Sequence, residues 1–255
     1  MTTATSPAGS AHAARRWRER YFAGPGGTLV TVALAALIAW ALWRAADWAL
    51  LRATVVPDVA LCKEPGRGAC WGFVVEKWRL IVFGRYPYEA QWRPALATLS
   101  VVAMLLASAW PAAWTRRGAR GLAAGWALAL ALFFALMAGG VFGLERVGTE
   151  RWGGLPLTVI LTLLGMGASA PIGVLLALAR RSELPLAKTL ATAYIELVRG
   201  VPLITVLFVA TFVFPLVLPP GWRIDPFWRI VAALVLFQSA YMAETVRGGL
   251  QTLPR

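Results

Sequence analysis

The chain of 255 residues is 59% apolar, with a mean hydropathy of +0.65 and a formal charge of +13 from 25 Lys+Arg against 12 Asp+Glu. That apolar share exceeds the roughly 45–50% of an average soluble domain, so water is not the main solvent of the fold. One histidine and two cysteines leave zinc, haem and iron–sulfur centres without ligands, and no basic stripe alternates with stacking aromatics as a nucleic-acid surface requires.

Met1 to Ala14 form a small, polar stretch holding the lone His12, followed by Arg15, Arg16, Arg18 and Arg20. A Ser-His or Cys-His nucleophile would have to recruit His12 from this tail, which argues against hydrolase chemistry. The apolar run after the arginines resembles a signal peptide, but no small-x-small site closes it and it continues through Trp40 and Trp43. It reads as a retained first span, Thr28–Trp43, extended by a turn, behind an N-terminal tail of residues 1–27.

A bilayer core of about 30 Å requires about 20 apolar helical residues. Five further stretches qualify: Ala95–Trp114, Leu122–Phe142, Leu155–Ala179, Leu190–Leu218 interrupted by prolines, and Phe227–Val246. With six alternating spans, the arginine tail, the loop with Arg116, Arg117 and Arg120, and the stretch with Arg180, Arg181 and Lys188 share one side, which the positive-inside rule assigns to the cytoplasm. The loops Glu145–Arg151 and Pro219–Asp225, the latter with only Arg223, then face outward, as does the long loop 44–93 with its eight basic and five acidic residues. Trp110, Trp114, Trp152, Trp222 and Trp228 sit where an interfacial belt would lie.

On the outside, Cys62 and Cys70 face an oxidising compartment, where a structural disulfide and two free thiols are both open readings. The aromatics Trp71, Phe73, Trp78, Phe83, Tyr86, Tyr88 and Trp92 in the same loop read as a cap on the membrane surface, or as a contact for a partner.

The composition changes near Gly153, separating residues 28–152 from 153–255. Downstream, Thr158, Thr162, Gly165, Gly167, Ala168, Ser169 and Gly173 place small and polar residues along one helix, for close packing or for lining a pathway. Gln238, near the middle of the last span, offers both donor and acceptor to a zwitterion or to a neighbouring helix.

Two segments resemble each other: Tyr194-Ile-Glu196-Leu-Val-Arg199-Gly200 and Tyr241-Met-Ala-Glu244-Thr-Val-Arg247-Gly248. Each places Glu and Arg three residues apart on one helical face, where they can pair. Ionisable side chains beside a span are costly and demand a reason, so they are either snorkelling interface markers or a cytoplasmic gate. Gly200-Val-Pro202 breaks the start of the fifth span, and Gly248-Gly249 loosens the end of the sixth.

The run from Leu157-Thr158 to Arg180-Arg181-Ser182, the segment Tyr194 to Leu203, and Ala240 to Pro254 resemble the permease subunits of polar amino-acid ABC importers. Upstream, Cys70-Trp71, Glu76-Lys77-Trp78-Arg79 and Phe83-Gly84-Arg85-Tyr86-Pro87-Tyr88 resemble the exterior loop of the general L-amino-acid permease branch. The resemblance implies an all-α polytopic transmembrane helix bundle, like a type I ABC importer permease, in the bacterial inner membrane with its N-terminus cytoplasmic. It implies a dimer of cytoplasmic ATPases that binds the ATP, a second permease subunit and a periplasmic amino-acid-binding protein, with no cofactor in this chain.

No Walker-type phosphate loop occurs in the sequence. Glu196, Arg199, Gly200, Pro202, Glu244, Arg247, Gly248 and Gly249 are the expected gate or coupling residues. The family's Glu-Ala-Ala coupling helix and two more spans are expected past Arg255, so the chain reads as C-terminally truncated. A membrane enzyme and a non-transporting scaffold that binds lipid are the rival readings.

Overall fold

The computed structural model describes residues 21–22, 24–219 and 221–252, which form helices joined by turns and irregular segments, with one isolated bridge. The tail arginines and His12, like Leu253, Pro254 and Arg255, lie outside the described residues. The chain divides into two compact units, one ending at Trp78 and one beginning at Arg79; the composition change near Gly153 falls inside the second.

In the first unit, α1 (Gly24–Ala46) runs on through a π-helical turn, Asp47–Leu51, giving 28 residues long and apolar enough to cross a membrane. This span is longer at both ends than the expected Thr28–Trp43. Pro25 starts it where no backbone donor is needed, and Ala45, Ala46, Trp48 and Leu50 carry the apolar run past Arg44. Asp47, in the π turn, pairs with Arg52 just beyond it.

The stretch between α1 and the next span holds two more helices, α2 (Val59–Lys63), capped by Asp58, and α3 (Trp71–Phe83). Cys62 and Cys70 are joined, with Cα atoms 5.8 Å apart, and Thr54 bridges to Cys70. The Trp71 indole donates to the Ala49 carbonyl at 2.6 Å, tying this small cap to the end of α1.

The second unit contains α4 (Trp92–Ser108), α5 (Arg116–Ala138), α6 (Gly154–Arg180), α7 (Pro185–Gly200), α8 (Leu203–Val217) and α9 (Pro226–Gln251). α4, α5, α6 and α9 each have the length and apolarity of a span; α7 and α8 meet at 99° and form at most one broken span. The expected fifth span, Leu190–Leu218, is therefore not one rod. Pro202 pushes Val201 out of helical conformation (φ −105°, ψ 137°), and the helix restarts at Leu203.

Three other boundaries differ from the sequence reading. Arg116, Arg117 and Arg120 belong to the first turns of α5 rather than to a loop, because Thr115 caps the helix and accepts from the Gly118 N–H at 3.1 Å. α4 stops at Ser108, and Trp110-Pro111 starts a short 3₁₀ turn through Trp114. Gly248 and Gly249 lie inside α9, which continues to Gln251. Intrahelical bonds on both sides hold them, so they do not end the span.

α6 packs most extensively on α9, and α4 on α5. Gly173 sets the α6–α9 distance: a Cβ built there would stand 2.6 Å from the Met242 Cβ. Gly154, at φ +62°, turns the chain into α6 beside the backbone of Val82 and Gly84, too close for any side chain.

The main core gathers Val101, Phe133, Met137, Trp152, Ile160 and Phe227. Trp152 is only 7% exposed, with ring centroids 5.3 Å from Phe227 and 6.5 Å from Phe133; it is a core residue, not a member of an interfacial belt. Arg93, 2% exposed, donates to the Leu136 carbonyl (2.7 Å) and the Glu145 carbonyl (2.9 Å), binding α4 to the end of α5. Tyr86 donates to the Met137 carbonyl at 3.0 Å, and burial raises its phenol above the ordinary value while the nearby Arg93 charge partly offsets that.

Candidate functional site

The two Glu-x-Val-Arg-Gly segments lie on α7 and α9, both packed against α6. Their apolar floor is Ala177 of α6, Ile195 of α7 and Ala243 of α9, all buried, flanked by Tyr194 and Val246. Above this floor the charged side chains converge.

The pairing is not the one expected within each segment. Glu244 and Arg247 do pair along α9, through Nε at 3.0 Å and through Nη2. Glu196 instead reaches Arg180 at the end of α6 (2.8 Å), and Arg180 also reaches Glu244 (3.3 Å). Arg199 crosses to Glu244 at 3.8 Å and lies 5.8 Å from the centre of the Tyr241 ring. Glu244 thus receives three arginines from three helices, while Glu196, with 57% of its side chain exposed, sits at the rim. The cross-helix pairs arise because α7 and α9 flank the same end of α6, so that Arg180 faces both carboxylates.

The sequence places Arg180 among the residues that orient the helices and in a run that resembles the permease family, but gives it no partner. It also gave Tyr194 no role, although its hydroxyl donates to the Leu236 carbonyl at 2.6 Å and lies 3.1 Å from the Ser239 hydroxyl, hooking α7 to α9. Ser239 is fully buried. A tyrosine at the start of each repeated segment was the available signal; its partners lie more than 40 residues away and no local pattern exposes them.

Gly200 is the last residue of α7, and Pro202 precedes α8 in extended conformation, so the 99° elbow sits between two of the expected residues. Among the described residues, nothing lies within 4 Å of a Cβ built on Gly200, Gly248 or Gly249. These three are not required by close packing.

Gln238 lines an open cleft of about 300 Å³ with Thr158, Thr162, Gly165, Leu203 and Phe237. The two threonine hydroxyls donate to carbonyls one turn back, at 3.0 and 2.8 Å, and keep acceptor lone pairs. Of the small-residue run on α6, Gly173 packs against α9 and Thr158, Thr162 and Gly165 border the cleft, so packing and lining divide along the same helix. Leu203, the first residue past the elbow, forms part of the cleft wall.

Long apolar helices, one of them broken at a proline, with a partly exposed ion-pair cluster tying three helices together, define a polytopic α-helical membrane protein. No family model matches the chain. It is 41% identical to the inner membrane amino-acid ABC transporter permease protein YhdY of Escherichia coli (strain K12), over 93% of this chain and 64% of that protein. It is 30% identical to the glutamate/glutamine/aspartate/asparagine transport system permease protein BztC of Rhodobacter capsulatus, over 98% of this chain and 72% of that one. A crystal structure of an amino acid ABC transporter with histidines aligns over 38% of this chain and 44% of its own, at 33% identity and a TM-score of 0.36. The chain belongs to the family of amino-acid ABC transporter permeases, and spans 64% and 72% of the two relatives' lengths.

Proposed function

We propose that this chain is the membrane-spanning subunit of an ATP-driven importer that moves L-amino acids from the periplasm to the cytoplasm by alternating access. The observation that carries the reading is the five-residue cluster of Arg180, Glu196, Arg199, Glu244 and Arg247 beside the elbow at Val201–Pro202. Family membership over nearly the whole chain supports it.

The chemistry of the cluster suits a gate. A carboxylate stripped of its partner at the edge of a low-dielectric bundle is costly, so helices held by one ion pair resist separation. Glu244 has three cations within reach, so α7 can shift while one arginine replaces another and the charge stays paired. The 99° elbow turns a displacement of α7 into a displacement of Leu203 at the cleft, which links the charge cluster to Gln238. The Gln238 amide then presents a donor and an acceptor to a passing zwitterion.

In this reading ATP is bound by a separate dimer of cytoplasmic ATPases, a second permease subunit completes the membrane pathway, and a periplasmic amino-acid-binding protein delivers the substrate. The N-terminal tail and the charge cluster face the cytoplasm, and the Cys62–Cys70 cap faces the periplasm of a bacterial inner membrane. The disulfide of that cap supports its assignment to an oxidising side.

Uptake of labelled amino acids into proteoliposomes holding this chain with its ATPase, companion permease and binding protein tests the proposal. ATP-dependent accumulation is expected, and Glu244→Arg is expected to abolish uptake with membrane insertion retained. Uptake that persists unchanged in Glu244→Arg would reduce the cluster to an interface marker. An assembled complex with no uptake of any amino acid would refute the importer reading.

A further inference from the structure

A third feature stands at the opposite end of α9 from the charge cluster. A pocket of about 580 Å³ opens between the end of α8 and the start of α9, lined by Pro215, Leu218, Trp222, Arg223, Ile224 and Arg229, with Asp225 at its edge. Arg229 and Arg247 are separated by about 27 Å along the axis at 1.5 Å per residue, close to the thickness of a hydrocarbon core of about 30 Å. A bundle with the cluster at one membrane surface therefore has this pocket at the other. Trp222 and Trp228, 68% and 50% exposed, stand at the same level, as interfacial indoles do.

The charge in the pocket is unbalanced. Among the described residues Asp225 is its one carboxylate, and both oxygens accept a hydrogen bond: Oδ1 from the Phe227 N–H at 2.8 Å and Oδ2 from the Thr149 hydroxyl at 2.8 Å. Arg229 is held in place by neutral acceptors. Pro215 has no N–H to give the Thr211 carbonyl, the π-helical turn Val209–Val213 exposes that carbonyl with its neighbour, and Arg229 Nη1 donates to Thr211 (2.8 Å) and Ala210 (3.3 Å). Its Nε is buried and has no acceptor among the described residues. Two arginines thus line one pocket at an interface, against a single carboxylate that caps a helix.

We propose that this pocket binds the phosphodiester headgroup of an anionic phospholipid. Phosphate oxygens accept from the Arg223 guanidinium, whose planar donor fork suits such pairing, and from the remaining Nη2 of Arg229, whose Nη1 is held by the Thr211 and Ala210 carbonyls. The glycerol and first acyl carbons lie on Pro215, Leu218 and Ile224, continuous with the bilayer. A net-neutral amino-acid zwitterion fits less well, because two arginines against one carboxylate leave an excess positive charge that a phosphodiester balances. The lipid braces the broken α8 against α9, and the proposal does not depend on the transport reading.

The test uses the full chain purified from membranes and exchanged into nanodiscs of phosphatidylcholine alone or mixed with phosphatidylglycerol. Native mass spectrometry counts retained lipid, and thermal unfolding reports protection. Preferential retention of phosphatidylglycerol is expected, lowered about tenfold in the Arg223→Ala/Arg229→Gln double variant, as loss of a charge-assisted hydrogen bond implies. Arg223→Ala alone changes an exposed side chain and leaves the Arg229 brace intact, so its several-fold loss is expected with unchanged helix content. Arg151→Ala, an exposed arginine outside the pocket, is expected to retain phosphatidylglycerol like the unaltered chain.

Equal retention of the two lipids, or unchanged preference in both pocket variants, would overturn the proposal. A parallel arm with inorganic phosphate in detergent separates the sources: protection equal to that by phosphatidylglycerol would overturn the lipid assignment. Displacement of the lipid by millimolar free amino acid would overturn it in favour of a substrate site.

Discussion

Replacing Arg180 with alanine tests whether the charge cluster is organised as its geometry indicates. The substitution removes the contacts to Glu196 (2.8 Å) and Glu244 (3.3 Å) and leaves Glu244 with Arg247, so no carboxylate in the interior of the cluster is orphaned. The Glu196 contact is solvent-screened and contributes up to about 1 kcal/mol; the Glu244 contact, between side chains about three-quarters buried, adds about 1–2 kcal/mol. The sum, about 1–3 kcal/mol, corresponds to a fall of about 3–10 °C in the unfolding midpoint of a chain this size. Glu196→Ala loses only the screened contact and is expected to fall by less than about 4 °C. Glu244→Ala leaves Arg180, Arg199 and Arg247 facing Glu196 alone and is expected to be the most damaging of the three. Thermal unfolding of the three variants in one detergent, with the Arg180/Glu244 and Arg180/Glu196 double-mutant cycles, provides the assay. Equal losses for Glu196→Ala and Glu244→Ala, or a larger coupling for Arg180/Glu196 than for Arg180/Glu244, would refute the hub role of Glu244.

Gly173→Ala is expected to cost about 1–3 kcal/mol of stability through overpacking, read as a lower unfolding midpoint, because its Cβ would meet the Met242 Cβ at 2.6 Å; Gly167→Ala, with no described residue within 4 Å of its Cβ, is expected to be neutral or mildly stabilising. Arg93→Met keeps the volume but strips the Leu136 and Glu145 carbonyls of their donor, and increased hydrogen exchange at the Ala138–Val147 turn is the expected result. Reduction of Cys62–Cys70, or Cys62→Ser, is expected to increase proteolytic nicking between Val55 and Trp71 while leaving the unfolding midpoint of the helices from Arg79 onward unchanged. In the transport assay, Gln238→Ala is expected to raise the KM for uptake more than it lowers the maximal rate, the mark of a group that contacts substrate on its way through; an unchanged KM would leave Gln238 as a cleft-wall residue.

The segments able to span a membrane were legible because hydropathy acts within one helix. Leu155–Ala179 and Phe227–Val246 lie inside α6 and α9, within a few residues of their ends. Proline chemistry is equally local, and it marked the break at Gly200-Val-Pro202, although the 99° angle depends on how α7 packs onto α6 and α9. Boundaries were read less well where a cap or an intrahelical bond overrode composition, as at Thr115, which draws three arginines into α5, and at Gly248-Gly249, which α9 carries through. The Trp152 belt position failed for a related reason: its place at the end of a run is visible in the sequence, but the ring packing that buries it is not.

The amino-acid sequence by itself determined that this is a helical membrane protein and that two Glu-x-Val-Arg-Gly segments carry its unusual charge, because span length, apolarity and i,i+3 spacing are properties of neighbouring residues. Only the tertiary structure decided that Arg180 joins them, that Glu244 is shared by three arginines, and that Glu196 turns away from Arg199. Those choices rest on the approach of α6, α7 and α9, set by close contacts such as Gly173 against Met242, and no spacing along the chain encodes which side chains meet across it.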